Sequence, residues 1–180
     1  TPLMKVNRTK GYGAEVVLYG DVYDEACEKA YELAAAHGYT FIHPFDDPAI
    51  MAGQGTIGLE ILDQLEDVDV IVTAIGGGGL ISGIGYAVKQ LKPSCKVIGV
   101  QSEGAASMVE ALAKNEIVTL PHVDTIADGI KVKTAGEKTF EMCRKYVDEV
   151  VTVSESEIAE SILWLLEKQK LITEGAGAVS

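Results

Sequence analysis

The sequence predicts an α/β fold, a parallel sheet flanked by helices, on three observations. Short runs rich in Val and Ile alternate with segments of helical period along the chain. Residues 14 to 42 read as strand, helix and strand, a β-α-β unit whose right-handed crossover makes the strands parallel. Residues 68 to 92 read as a strand, four consecutive glycines and a helix, so that a helix N-terminus stands at the end of a strand.

Taken in order, Ala14 to Tyr19 is the first expected strand, ended by Gly20, with Asp21 as the cap of a helix from Tyr23 to Ala36 and Gly38 as its stop. Tyr39 to Ile42 is the second strand. His43-Pro44-Phe45-Asp46-Asp47-Pro48 is a rigid turn, with prolines fixing the backbone around two acids, and is the expected domain crossing. Asp47 caps a helix from Pro48 to about Leu65, in which Gly53, Gly55 and Gly58 suit close packing or close ligand approach. Val68 to Ile75 is expected to be a strand buried on both faces. The glycines and a helix to Leu91 follow, and Pro93-Ser94 ends that helix. Lys96 to Val100 is a strand, Gly104 to Lys114 a helix, and Glu116 to Ile130 a long loop without periodicity. Gly136 to Tyr146 is helical and Glu149 to Val153 a strand. Ser154 to Lys170 is an amphipathic helix opened by a Ser154/Glu157 capping box. Glu174 to Ala178 reads as a further strand-to-helix turn, cut short.

At 180 residues and 47% hydrophobic, the chain can bury a core. Its net charge of −12 argues against nucleic acid or an anionic membrane as partner. No apolar run has the length of a membrane span, and no signal-peptide pattern occurs. Cys27, Cys95 and Cys143 lie far apart and read as reduced structural thiols of a cytosolic protein. The opening Thr1-Pro2 leads directly into what reads as the middle of a folded unit, so the chain is expected to be a fragment.

Gly76-Gly77-Gly78-Gly79 carries the functional signal. Four glycines at one bend are entropically costly, which a fold tolerates where backbone N–H groups must closely approach a ligand. At a helix N-terminus that ligand is typically a phosphate. A dinucleotide loop wants a third glycine, where Ile81 or Ser82 stands; Glu103, after the next strand, keeps a ribose contact and an NAD reading open. A Walker loop fails for want of Gly-Lys-Ser/Thr, and a mere tight turn does not need four glycines. A short run of donors suits a monophosphate, and pyridoxal phosphate is one such cofactor, though it requires a lysine.

Gly76-Gly77-Gly78-Gly79-Leu80, with Ala52-Gly53-Gln54-Gly55-Thr56 before it and Thr125-Ile126-Ala127-Asp128-Gly129-Ile130 after it, resembles the threonine dehydratase family. These are fold-type II pyridoxal-phosphate enzymes of the tryptophan synthase β-like fold, related to serine racemase and serine dehydratase. Tyr12 to Leu18, His43-Pro44-Phe45 and Glu174-Gly175-Ala176-Gly177 match the same family in the same order. Asp128 to Lys133 and Tyr146 to Val153 resemble the catabolic type most. The resemblance implies an ammonia-lyase that converts L-threonine (or L-serine) to 2-oxobutyrate (or pyruvate) and ammonia, in amino-acid metabolism including isoleucine biosynthesis. It implies pyridoxal 5'-phosphate as cofactor, an amino acid as substrate, a cytoplasmic setting and a homodimer or homotetramer.

Carried over residue by residue, Gly76, Gly77, Gly78, Gly79 and the Leu80 amide would hold the cofactor phosphate. Phe45 would sit near the cofactor, and Gly129 and Glu174 would approach its ring; core aromatic, turn glycine and helix cap are the plainer readings of these three. The family's Schiff-base lysine lies in a Ser-Phe-Lys-like motif that does not occur here, and Lys5, Lys10, Lys131 and Lys133 have no such context. No catalytic residue is therefore assigned, and the chain alone is expected to be inactive. Residues 1–43 would end the small domain and 44–180 would form part of the large one. Serine racemases of the mammalian type place carboxylates for a divalent cation where Gln101 and Ser107 stand, so no metal is expected, with Glu103 alone a weak ligand.

Overall fold

The computed structural model describes residues 3–21 and 23–180. The chain divides into two compact units, Thr1–Phe41 and Ile42–Ser180.

The first unit contains α1 (Leu3–Gly11) and α2 (Tyr23–His37). Helix α1 was not expected from the sequence: it is short, mostly polar, and buries only Val6. Arg8 and Lys10 in its last turn complement the helix dipole. Helix α2 stands where expected and ends at Gly38, whose φ of +69° lets Tyr39 N–H return to the Ala34 carbonyl at 3.0 Å. Residue 22, directly before α2, lies outside the described residues, as do Thr1 and Pro2 of the expected fragment opening. The Asp21 N–H donates to the Glu25 carboxylate at 2.7 Å.

Neither expected flanking strand forms. Residues 14–20 and 39–42 join no ladder among the described residues, so the expected β-α-β unit is a helix with irregular flanks. A strand needs a hydrogen-bonded neighbour, and the alternating apolar residues find none. Val17, Leu18, Tyr19 and Tyr39 remain exposed.

The second unit holds a three-stranded parallel sheet of β1 (Val70–Ala74), β2 (Lys96–Ser102) and β3 (Glu149–Val153), ordered β1-β2-β3. Val72 pairs with Ile98, and Val100 with Val151. Around it lie α3 (Pro48–Gln64), α4 (Gly79–Leu91), α5 (Ser107–Lys114), α6 (Glu137–Tyr146) and α7 (Glu155–Trp164), the last continued by a π-helical turn over Leu165–Gln169. Ile71, Ile75 and Val97 form one core with Ile81, Ile84 and Val88 of α4, Met108 of α5 and Phe140 of α6. The opposite face packs Val100 and Ile130 against Ile158 of α7. Strand β1 is covered on one face only, contrary to expectation: Val70 and Val72 are 43% and 45% exposed. It is an edge strand, and α7 packs over its far neighbours.

The α3 glycines serve close packing at two of three positions. A Cβ on Gly55 would stand 3.1 Å from the Gly83 carbonyl oxygen of α4, and one on Gly58 would stand 3.1 Å from Val88 Cγ2. Gly53 faces open space. At the other end of the sheet, Asp148 accepts from Val97 N–H at 2.6 Å and pairs with Lys89 at 2.7 Å. Burial pushes its carboxyl up, but the Lys89 ammonium and that N–H outweigh it and hold it below the usual range.

Candidate phosphate-binding site

The site is assembled at the carboxyl end of the parallel sheet, where α/β folds bind ligands. Strand β1 runs out through Ile75, whose N–H bonds the Val100 carbonyl at 2.8 Å, and the chain then turns through the glycines into α4. Gly78 is the N-cap of α4 with φ +97°, a left-handed conformation open to glycine at little cost. Gly77, Gly78 and Gly79 are buried, yet among the described residues no protein acceptor takes the N–H of Gly77, Gly78, Gly79, Leu80 or Ile81. Buried backbone donors without partners are rare, since leaving one unpaired forfeits its hydration. An anion at this helix end would satisfy them and gain from the dipole.

The surrounding residues exclude side chains from the loop. A Cβ on Gly77 would stand 2.5 Å from the Phe45 ring, and one on Gly79 would stand 2.8 Å from Phe45 Cβ. A Cβ on Gly76 would meet Ile130 Cα at 3.1 Å, with the Gly129 carbonyl oxygen at 3.6 Å. Phe45 and Gly129 thus both stand against the glycine run. Glu174 is further round. It precedes a 3₁₀ turn, Gly175–Gly177, in which Ala176 Cβ would be 2.9 Å from a Cβ on Gly129. The structure brings Gly76–Gly79, Phe45 and Gly129 together directly, and Glu174 through Ala176.

Several supporting residues were not anticipated. His43 Nδ1 accepts from Phe45 N–H at 3.2 Å and Asp46 N–H at 2.8 Å, which fixes the turn carrying Phe45. Asp46 Oδ1 accepts from Lys138 N–H at 2.9 Å and Thr139 N–H at 3.0 Å, capping α6 from 92 residues away. Glu155 accepts from the Ser102 hydroxyl at 2.5 Å and from Ile126 N–H at 2.7 Å, holding the loop that leads to Gly129. Burial raises the Glu155 carboxyl, but the hydroxyls of Ser102 and Thr125 and the Ile126 N–H keep it below the usual range. The partners of Asp46 and Glu155 lie tens of residues away and leave no local pattern, whereas His43 acts within its own turn. The Pro-Phe-Asp-Asp turn was the one available signal for Asp46.

Gln101 and Ser107 are both fully buried. Gln101 Oε1 accepts from Met108 N–H at 2.9 Å and Val109 N–H at 3.0 Å, while its Nε2 donates to the Ile75 carbonyl at 3.3 Å. Ser107 Oγ has no protein partner among the described residues. Glu103 is exposed in a 3₁₀ turn. Cys95 and Cys143 are buried and free and Cys27 is half-buried and free. Burial pushes the Cys143 thiol up to about 12, against a small opposing pull from the Ser82 hydroxyl, so it packs as a neutral apolar group. A separate apolar groove of about 1160 Å³ lies between α3, α4 and α6, away from the glycine loop. No described helix is long and apolar enough to cross a membrane.

A glycine run whose buried donors meet no acceptor among the described residues stands at the end of a parallel α/β sheet. The chain belongs to the pyridoxal-phosphate dependent enzyme family, whose sequence model matches residues 1–180. It is 51% identical over 178 residues to the L-threonine ammonia-lyase of Thermotoga maritima, covering 99% of this chain and 44% of that protein. It is 47% identical over 179 residues to the catabolic L-threonine dehydratase of Escherichia coli (strain K12), covering 99% of this chain and 54% of that protein. Among solved structures, the processed form of threonine deaminase isoform 2 from Solanum lycopersicum superposes with a TM-score of 0.93 at 43% identity, over 99% of this chain and 52% of that one. Maize serine racemase gives a TM-score of 0.93 at 32% identity, over 99% and 54%. The chain spans about half the length of the curated relatives it matches.

Proposed function

We propose that this chain forms the cofactor-phosphate part of a pyridoxal-phosphate-dependent L-threonine (or L-serine) ammonia-lyase, releasing 2-oxobutyrate (or pyruvate) and ammonia. The observation that carries the reading is the set of buried, unpaired N–H groups at Gly77, Gly78 and Gly79. In this reading Gly76 to Gly79 and the Leu80 amide hold the phosphate, and Phe45 walls the loop and excludes water from it. Gly129 and Glu174 stand toward the ring. The cofactor, when bound, supplies an electron sink for charge developing at the substrate α-carbon. The residues of this chain anchor and orient it. The domain assignment follows the same reading: residues 1–43 end a small domain, and 44–180 form part of a large one.

In this reading none of the chain's own lysines bonds the cofactor, since none lies in a Ser-Phe-Lys-like motif, and the 180 residues alone are inactive. A cytoplasmic enzyme, dimeric or tetrameric and without a metal at Gln101 and Ser107, completes it. Whether it serves threonine breakdown or isoleucine formation depends on the whole protein. Titration with pyridoxal 5'-phosphate and, separately, with NAD tests the cradle. Saturable binding of the first supports it, whereas tight NAD binding with no response to pyridoxal phosphate favours a nucleotide module without chemistry. Release of 2-oxobutyrate from L-threonine by the 180 residues would overturn the inactivity.

The similarity to maize serine racemase favours a second reading, a serine racemase or serine dehydratase. Side-by-side turnover of L-threonine and L-serine by the full-length protein separates the two.

A further inference from the structure

The Gly77 carbonyl is held from outside its own loop. Thr139 is fully buried in the first turn of α6, and its hydroxyl donates to the Gly77 oxygen at 2.6 Å, with the Gly136 oxygen a second acceptor at 3.2 Å. Gly136 N–H reaches the same Gly77 oxygen at 3.4 Å. Across a trans peptide the C=O of one residue and the N–H of the next point in opposite directions. Turning the Gly77 carbonyl onto α6 therefore turns the Gly78 N–H away from α6, where no described protein acceptor meets it. Gly77 and Gly78 carry no Cβ, so their own torsions do not fix the orientation of the peptide between them, and the hold from α6 does.

Thr139 is itself fixed. Its own N–H, with that of Lys138, is capped by Asp46 Oδ1, and Gly136 has no side chain because a Cβ there would stand 2.5 Å from Asp46 Cγ. Asp46 follows Phe45 directly in the chain, so one turn both walls the loop and sets the helix that aims it.

We propose that Thr139 is a positioning residue of the phosphate cradle: its hydroxyl orients the Gly77–Gly78 peptide so that the Gly78 N–H joins those of Gly79 and Leu80 as a phosphate donor, and Asp46 aligns α6 for that purpose. This rests on the cradle reading above and adds the residue that preorganises it. Its loss would weaken phosphate binding without removing any donor, because the Gly78 N–H would be free to turn elsewhere.

The test is a titration of the chain with inorganic phosphate and with pyridoxal 5'-phosphate, followed by backbone ¹H–¹⁵N spectra, on the unmutated protein, Thr139→Val and Thr139→Ser. The Gly78 amide proton moves downfield on binding in the unmutated chain. Thr139→Val, equal in shape but without the donor, lowers affinity for both ligands about tenfold, and Thr139→Ser restores it to within about threefold. A merely structural role would lower the thermal midpoint of Thr139→Val and leave the affinity of its folded form unchanged. A folded Thr139→Val of unaltered affinity overturns the assignment and leaves the cradle standing. So does a Gly78 amide that stays still while those of Gly79 and Leu80 respond. That second outcome is read on the unmutated protein, whether or not the valine variant folds. If neither ligand moves any amide from Gly77 to Leu80, the cradle reading falls, and the assignment with it.

Discussion

Three strands of one sheet end side by side, each leads onward to a helix, and the helix N-termini are treated in two different ways. After β2, the buried Gln101 side chain reaches forward and takes the N–H groups of Met108 and Val109 at the start of α5. After β3, Ser154 and Glu157 close a capping box on α7. After β1, four glycines lead into α4, and no side chain caps it. The remaining helices of this unit are capped as well, α3 by Asp47 and α6 by Asp46. Among the described residues of this unit, every α-helix start but that of α4 is capped by a side chain. An unpaired N-terminus alone would mean little at a surface, where water serves. At α4 it coincides with buried glycines and a left-handed cap, the combination on which the proposed phosphate cradle rests.

The sharpest way to break the contrast is to give the empty end a side chain. Gly78→Ala forces a Cβ into the left-handed region and to 2.8 Å from Met108 Cε and 2.9 Å from Thr139 Cβ. Backbone strain of about 1–2 kcal/mol and overpacking of about 1–3 kcal/mol together predict a loss near 3 kcal/mol in a denaturant titration. Binding of pyridoxal phosphate is lost with it. Gln101→Met tests the filled end. It keeps the volume but leaves the Met108 and Val109 N–H groups and the Ile75 carbonyl without their partner, so about 2 kcal/mol of stability is lost. The affinity of the refolded variant for inorganic phosphate changes less than about twofold, because Gln101 bonds none of the Gly77 to Leu80 N–H groups and touches the glycine turn only through the 3.3 Å bond to the Ile75 carbonyl. A Gln101→Met protein that binds phosphate much more weakly would mean that the bond to the Ile75 carbonyl couples the two turns.

How much of this contrast the sequence carried differs by turn. Ser154 and Glu157 are three residues apart, and Asp47 stands directly before Pro48, so local spacing revealed both caps. The glycine run was equally plain, because nothing else explains four in succession. Gln101 acts seven and eight residues ahead, and Asp46 acts across 92, so neither leaves a periodic trace. The strands expected at 14–19 and 39–42 fail for the complementary reason. Their apolar pattern is a property of the segment, but a strand is a property of a pair. Helix α1 was missed because a short polar helix with one buried residue shows no apolar stripe.

The capped end of α7 offers the finest test, since its cap titrates and the Gln101 cap does not. Ser154→Ala removes the hydroxyl that accepts from the Glu157 N–H at 3.3 Å, for a loss of about 1 kcal/mol at neutral pH. The Glu157 carboxylate accepts from the Ser154 N–H at 2.7 Å and from its hydroxyl at 2.8 Å. These bonds hold its carboxyl below the ordinary value of 4.5. The unfolded chain therefore takes up this proton before the folded one does. The stabilisation is complete above 4.5 and fades as pH falls through the lowered folded value. The difference in thermal midpoint between the unmutated chain and Glu157→Gln is thus expected to be constant from neutral pH down to the ordinary carboxylate value, and to shrink below it. The corresponding difference for Gln101→Met carries no such dependence, because an amide does not titrate. A Glu157→Gln gap that held steady into strong acid would mean that the Ser154 hydroxyl alone caps α7, with the carboxylate a bystander.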